Sequence, residues 1–395
     1  MPHTSPLEEK MASVSLVADA AKEGELATEY IELASVMLQE GRIDEAATSL
    51  MAAQFHARPE MQKPIAQEVR RLVEMVPDRG GILTEHAQFL SMKKKYSEYP
   101  SVVQMETLST CNAACLFCPY PVMERKGEKM PDELLNKLLC DLKDIPRDHQ
   151  FTLAFHHISE PFLDKRFKAN VEWCQVHVPN ANITVTTNGS ALNEANIRFL
   201  LSAQNVRDIQ ISFNDHRSEE YTFAMKLPYD RTLANVDRLH ELMAEYDRTP
   251  VTVRRVGDGS QADSDFVSFC RDRWPQFNAV SKKAKNFLGQ IEQGPSGQPI
   301  ENLTYSEVPI SGCAQWFQMI ITSSGKLAAC CFDGKAEWII GDVSGRHLLE
   351  VYNSEGMRKF RQEIGTRLEA PEPCRSCTIF WSGRKMNPVR EMAAE

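Results

Sequence analysis

Apolar positions recur at helical spacing from residue 26 onward. Leu26, Tyr30, Leu33 and Met37 share one face, and Gly41 marks a turn. Ile43, Ala46, Ala47, Leu50 and Ala53 make a second apolar face, closed by Pro59. Ile65, Val69, Leu72, Val73 and Val76 align on a third helix. The pattern breaks at Asp78-Arg79-Gly80-Gly81, and a further short helix leads to Pro100. From there the period changes. Apolar, β-rich runs alternate with helical patterns: 102–108 then 132–142, 151–155 then 162–176, 183–187 then 194–201, 209–213 then 232–245, and 251–256 then 263–270, with a weak sixth run at 279–284. Strand–helix units in series predict an α/β fold with a parallel sheet. Right-handed crossovers would curl it into a full or partial (β/α)6 barrel, with its active site at the C-terminal ends of the strands.

This pattern divides the chain. Residues 1–20 are small and polar and read as a flexible tail, 21–97 as a helical region, and 98–290 as the barrel. The turn-rich stretch Gln293-Gly294-Pro295-Ser296-Gly297-Gln298-Pro299 places a linker at 291–312, which leaves a small α+β region over 313–395. The alanines at the first helical pair are similar to those of a tetratricopeptide hairpin, where two helices approach closely. One hairpin cannot bury its face alone, so it should dock on the rest of the chain or on a protein partner.

Charge and composition narrow the classes. A net charge of −9 argues against nucleic acid, whose binders usually carry a basic face. No basic start precedes an apolar run, and no run approaches the roughly 20 apolar residues of a membrane span, so a cytoplasmic location away from membranes is expected. In that compartment the 11 cysteines should stay reduced, and clustered ones are metal ligands before they are disulfides. They form two groups, one near residue 115 and one spanning 313 to 377. Cys140, Cys174 and Cys270 stand apart in helical patterns and are expected to be buried core thiols.

The first group, Cys111-Asn112-Ala113-Ala114-Cys115-Leu116-Phe117-Cys118, directly follows the first strand with the spacing C-x3-C-x2-C. Three thiolates on one loop leave one iron of a four-iron cluster open. The amino and carboxylate groups of S-adenosylmethionine (SAM) can chelate that iron. Zinc is the rival reading, but zinc loops pair their ligands, and the nearest histidines, His86 and His149, lie well outside the motif.

Over roughly residues 100–385 the sequence resembles the radical SAM superfamily. Phe117, just before the last cysteine, matches the family position beside the adenine. Ser159-Glu160-Pro161 after the second strand is similar to the Gly-Gly-Glu-Pro motif, with Ile158 and Ser159 where the family has glycines. The resemblance gives Ser159 and Glu160 the SAM amino group. Thr186-Thr187-Asn188-Gly189 matches a Thr-Asn-Gly motif and implies a cofactor contact at Asn188. Ser212-Phe213-Asn214 resembles a motif at the SAM ribose and carboxylate, and Arg254 or Arg255 is placed to pair with a carboxylate.

In the C-terminal group, Cys313, Cys330, Cys374 and Cys377 can saturate a second [4Fe–4S] cluster. A β-hairpin over 317–329, turning at Ser323-Ser324-Gly325, joins the first two, and a helix over 353–364 precedes the last pair. The arrangement resembles the SPASM extension of radical SAM enzymes in its single-cluster twitch form. A zinc knuckle at Cys374 and Cys377 is the alternative, and Cys331 could replace Cys330.

Two clusters imply an oxidation. A 5′-deoxyadenosyl radical would remove a hydrogen atom from the substrate, and the auxiliary cluster would accept the remaining electron. A small hydroxylated biosynthetic intermediate is the first expectation, and a peptide, cross-linked or epimerised, is the second. A flavodoxin or ferredoxin would supply reducing electrons. A non-catalytic iron–sulfur interaction protein is the reading from another class. The sequence assigns no catalytic residue; His156, His157, Asp333 and Tyr120 could approach the barrel mouth, and Cys331, Cys174 or Cys270 could return hydrogen in an epimerisation.

Overall fold

The computed structural model describes residues 20–76, 80–246, 250–300, 312–377 and 379. Most of the expected N-terminal tail, the middle of the expected linker and the C-terminal end lie outside them. The described residues form two compact units: one takes those before Tyr99 together with 312–317 and those from Asn353 on, the other those within 99–300 and Gln318–Tyr352. The C-terminal region expected over 313–395 is thus divided between the two.

The first unit opens with helices α1 (Ala20–Gln39), α2 (Ile43–His56), α3 (Pro59–Met75) and α4 (Gly80–Lys95). Its core contains Ala34, Met37, Ala46, Ala47, Ala53 and Leu72, all nearly inaccessible. The small side chains bring α1 and α2 together closely enough for the buried Ser49 hydroxyl to donate to the Tyr30 carbonyl of the other helix at 2.8 Å. A second apolar cluster joins Phe89 of α4 to Cys313, Trp316, Phe317 and Ala370. The helical region therefore docks on C-terminal residues of its own chain.

The second unit is built on a sheet in the order β6-β5-β4-β3-β2-β1-β7-β8-β9. Its strands are β1 (Val102–Met105), β2 (Phe151–Ala154), β3 (Ala181–Thr187), β4 (Val206–Ser212), β5 (Val251–Gly257) and β6 (Asn278–Lys283), followed by β7 (Gln318–Ile321), β8 (Lys326–Ala328) and β9 (Ile339–Asp342). Strands β1 to β6 pair parallel with their sequence neighbours. Between them lie α5 (Asp132–Asp141), α6 (Phe167–His177), α7 (Glu194–Ser202), α8 (Ser218–Met225), α9 (Tyr229–Met243) and α10 (Gln261–Arg273). The helix expected over 353–364 is α12 (Glu355–Gln362), begun by Ser354, and a further short helix not expected from the sequence, α11 (Leu348–Tyr352), precedes it. This is the expected mixed α/β architecture of parallel strand–helix units. The C-terminal hairpin adds to it, because β7 runs parallel to β1 in the register Val102↔Gln318.

Alternation sets which side chains the site receives. Phe155 packs on Phe167 of α6, and Phe213 packs on Tyr221 of α8 and on Trp274, so these positions face the helices. Glu106, His156, Thr186, Gln210, Ser212 and Arg254 have the opposite parity and face the inner side of the sheet. Cys174 and Cys270 are buried as expected. Cys140 is exposed: α5 buries Leu135, Leu138 and Leu139, and Cys140 falls on its outer face.

Candidate active site at the strand ends

The cysteine loop leaves the end of β1 and is closed at its base by backbone bonds from Ser109 N–H to Glu128 and from Gly127 N–H to Ser109, both 2.8 Å. Its far side is clamped by α8, which the sequence reading missed. Ala114 N–H donates to the Met225 carbonyl at 3.3 Å and Leu116 N–H to the Ala224 carbonyl at 3.0 Å. The Met225 sulfur lies 3.5 Å from Cys115 Sγ. The apolar spacing of Tyr221, Ala224 and Met225 was the available signal for this helix.

Cys111, Cys115 and Cys118 are all partly accessible. N–H groups converge on their sulfurs: Ala113 N–H on Cys111 at 3.4 Å, Tyr120 N–H on Cys118 at 3.5 Å, and the Asn188 amide on Cys111 at 3.8 Å. Desolvation pushes the Cys111 thiol up to about 11 and Cys118 up to about 12; it raises Cys115 as well, with the two neighbouring cysteines adding to the shift. Three desolvated thiols, two of which already hold N–H donors, fit an iron–sulfur cluster, whose iron supplies the positive charge that lets them ionise. Phe117 is buried on the same loop.

Glu160 is tied to this loop by its own N–H, which donates to the Thr110 carbonyl at 2.9 Å. Its carboxylate accepts from Thr187 Oγ1 at 2.7 Å, Asn188 N–H at 2.8 Å and Phe162 N–H at 3.3 Å. Desolvation still dominates and pushes the acid up to about 7. A cationic amine placed here would be paired by a carboxylate already held in position. Ser159 beside it is half-buried.

Asn188 is shared out. Its amide donates to Asn112 Oδ1 at 2.9 Å, and its Oδ1 accepts from the Ser190 N–H and hydroxyl. Asn214 is committed to the framework: at φ 64° it accepts from Val256 N–H at 2.8 Å and donates to the Ser212 carbonyl and the Met225 sulfur. Arg254 bonds Gln210 across the inner face, with Asp208 nearby. Arg255 points the other way, is almost inaccessible, and pairs with Asp215 and Asp263. Of the two arginines, only Arg254 remains in the candidate site.

Sequence reading also missed Glu106. This fully buried acid just past β1 accepts from Arg125 Nε at 2.6 Å, Ser109 Oγ at 2.7 Å and Ile158 N–H at 3.1 Å. Arg125 also donates to the Gly334 carbonyl at 2.7 Å, and His157 Nε2 lies 3.1 Å from the Cys331 carbonyl. These bonds brace the 330–334 turn against the cysteine loop. His156 is buried with Nδ1 unpartnered; desolvation, aided by neighbouring His157, lowers it to about 4 and keeps the ring neutral. Asp333 is spent on its own turn, accepting from Glu337 N–H, Trp338 N–H and Gln290 at 2.9 Å each. Tyr120 is half-buried next to the loop.

In the first unit, Cys313 is buried and its thiol is pushed up by desolvation. Arg367 opposes that rise, and Cys374 and Cys377 add to it. Trp316 Nε1 donates to Cys374 Sγ at 3.4 Å. Three of the four C-terminal thiols thus share one environment. Cys330, half-buried, follows β8 in the other unit. Among the described residues no three His, Cys, Asp or Glu side chains converge as a single metal ion would require.

Parallel strands carrying a three-thiol loop, with a poised carboxylate at their C-terminal ends, define an iron–sulfur enzyme of α/β-barrel type. Comparison with known proteins gives its family. The Radical SAM superfamily profile matches residues 105–272, and an iron–sulfur cluster-binding domain profile, SPASM, matches residues 313–378. The chain is 32% identical over 280 residues to the S-adenosyl-L-methionine-dependent 2-deoxy-scyllo-inosamine dehydrogenase of Niallia circulans, covering 70% of this chain and 92% of that protein. The chain belongs to the radical SAM superfamily. Its cofactors are accordingly SAM and a [4Fe–4S] cluster, with auxiliary iron–sulfur in the SPASM region. Among solved structures it is similar to Streptococcus suis SuiB bound to precursor peptide SuiA, with a TM-score of 0.53 and 11% identity over 81% of this chain and 84% of that one. It is also similar to BtrN in complex with AdoMet and 2-DOIA, with a TM-score of 0.43 and 17% identity over 70% and 92% of the two chains.

Proposed function

We propose that this enzyme oxidises an alcohol carbon of a small hydroxylated molecule to a carbonyl. The observation that carries the reading is the 32% identity to a dehydrogenase of such a molecule across 92% of its length. The inner face of the sheet supports it, since Thr186 and Gln210 offer polar groups suited to hydroxyls.

In this reading Cys111, Cys115 and Cys118 hold the first cluster. Phe117 packs beside the adenine, and Ser159 and Glu160 take the amino group of SAM. Asn188, Ser212 and Arg254 face its ribose and carboxylate, while Asn214 fixes the turn that presents them. The bound cofactors supply the hydrogen-abstracting radical and an acceptor for one electron. Cys313, Cys374 and Cys377 hold the auxiliary cluster, with Cys330 as the fourth thiol assigned from sequence. The hydroxyl proton is released as the carbonyl forms. A flavodoxin- or ferredoxin-type protein provides the reducing electron.

The test is anaerobic reconstitution with iron and sulfide, then dithionite-driven turnover with a panel of aminocyclitols and polyols. One carbonyl product per 5′-deoxyadenosine is the expected result. Cleavage of SAM with no carbonyl from any polyol, but modification of a peptide, would transfer the reading to peptide maturation.

A further inference from the structure

Trp316 lies three residues beyond Cys313, where its own N–H donates to the Cys313 carbonyl at 3.0 Å. Its indole Nε1–H reaches Cys374 Sγ at 3.4 Å. One residue thus touches the backbone of one candidate ligand and the sulfur of another. The ring has little freedom to leave. It is 3% exposed, meets Phe89 edge-on at 5.7 Å and meets Phe360 at 4.6 Å. Arg367, 1% exposed, places a positive charge beside both thiols.

We propose that Trp316 raises the reduction potential of the auxiliary cluster through its N–H···S bond to Cys374. This rests on the reading that Cys374 is a ligand. Negative charge on the cluster sulfurs increases when an electron arrives, and an aimed N–H donor stabilises the reduced state more than the oxidised one. Burial strengthens the effect, because water cannot screen the donor or take its place. A cluster that must accept one electron from a substrate radical gains driving force from such a donor. Arg367 acts in the same direction by charge.

The experiment uses the full chain with Cys111, Cys115 and Cys118 replaced by alanine, so that only the auxiliary cluster can assemble. Potentiometric titration followed by electron paramagnetic resonance compares this protein with the same protein carrying Trp316→Phe. The phenylalanine keeps an aromatic ring and removes the donor. The expected result is a tenfold weaker equilibrium constant for reduction, about 59 mV for one electron. An unchanged potential at equal iron content would reduce Trp316 to a packing residue. A second measurement needs no variant at this position: with 15N-labelled indole, the reduced cluster should show a nitrogen coupling in pulsed resonance spectra. Absence of that coupling would also overturn the proposal. If the triple-alanine protein holds no iron, the assignment of the auxiliary thiols fails first, and this proposal fails with it.

Discussion

At the residue scale, Glu160 carries the most informative charge. Its acid is raised from 4.5 to about 7 by desolvation, so the folded chain without SAM keeps a proton that the unfolded chain has lost. Stability from this group therefore falls as pH rises from 4.5 to 7, by roughly 3 kcal/mol in all. Glu160→Gln should remove that loss: urea unfolding of the cofactor-free proteins should show the variant gaining on wild type across this window. His156 has the opposite sign. Its folded value of about 4 lies below the usual 6.5, so its contribution is lost as pH falls from 6.5 towards 4. Asn214 tests geometry instead of charge. It sits at φ 64° and holds Val256 N–H, so Asn214→Ala both strains the backbone and removes a buried bond. A cost of about 2–3 kcal/mol is expected, with Asn214→Gly less costly because glycine accepts positive φ. Thermal unfolding of the two variants gives the ranking.

At the element scale, α8 matters beyond its eight residues, because two of its carbonyls hold the far side of the cysteine loop. Thr222→Pro places an imide in the exposed middle of this helix and should cost about 3 kcal/mol locally. The loop should then lose iron while the auxiliary iron stays; iron counts on Thr222→Pro in the otherwise unchanged chain and in the chain with Cys111, Cys115 and Cys118 replaced by alanine test this. The contrast between α8 and its neighbours shows what the chain made legible. The parallel strands and longer helices were readable because alternation and a 3.6-residue period persist over several turns. The cysteine loop and Glu160 were readable because motif spacing is local. Two turns of helix in Ser218–Met225 offer only one repeat of apolar spacing. Glu106 was hidden for a different reason: its partner Arg125 is 19 residues away, and only the fold brings the two together. The exposed Cys140 failed because a helical pattern says that one face is buried, and the leucines beside it occupied that face.

At the scale of the whole molecule, the first unit joins opposite ends of the chain. Residues 312–317 and 353–377 have no sheet of their own, and Cys313, Trp316, Phe317 and Ala370 are buried together with Phe89 of α4. Phe89, 3% exposed, is the central contact, meeting Trp316 at 5.7 Å and Phe317 at 5.8 Å. Lys93 of the same helix is buried and donates to the Gln362 carbonyl at 2.6 Å. The N-terminal helices are therefore part of the setting of Cys313, Cys374 and Cys377. Phe89→Ala should open a cavity costing about 3–5 kcal/mol in that core. The expected readout is selective: auxiliary iron should be lost on mild heating, while iron at Cys111, Cys115 and Cys118 is retained. Equal loss at both sites would mean the two clusters share one cooperative unit. Retention at both would mean that the helices are dispensable to the thiols they surround.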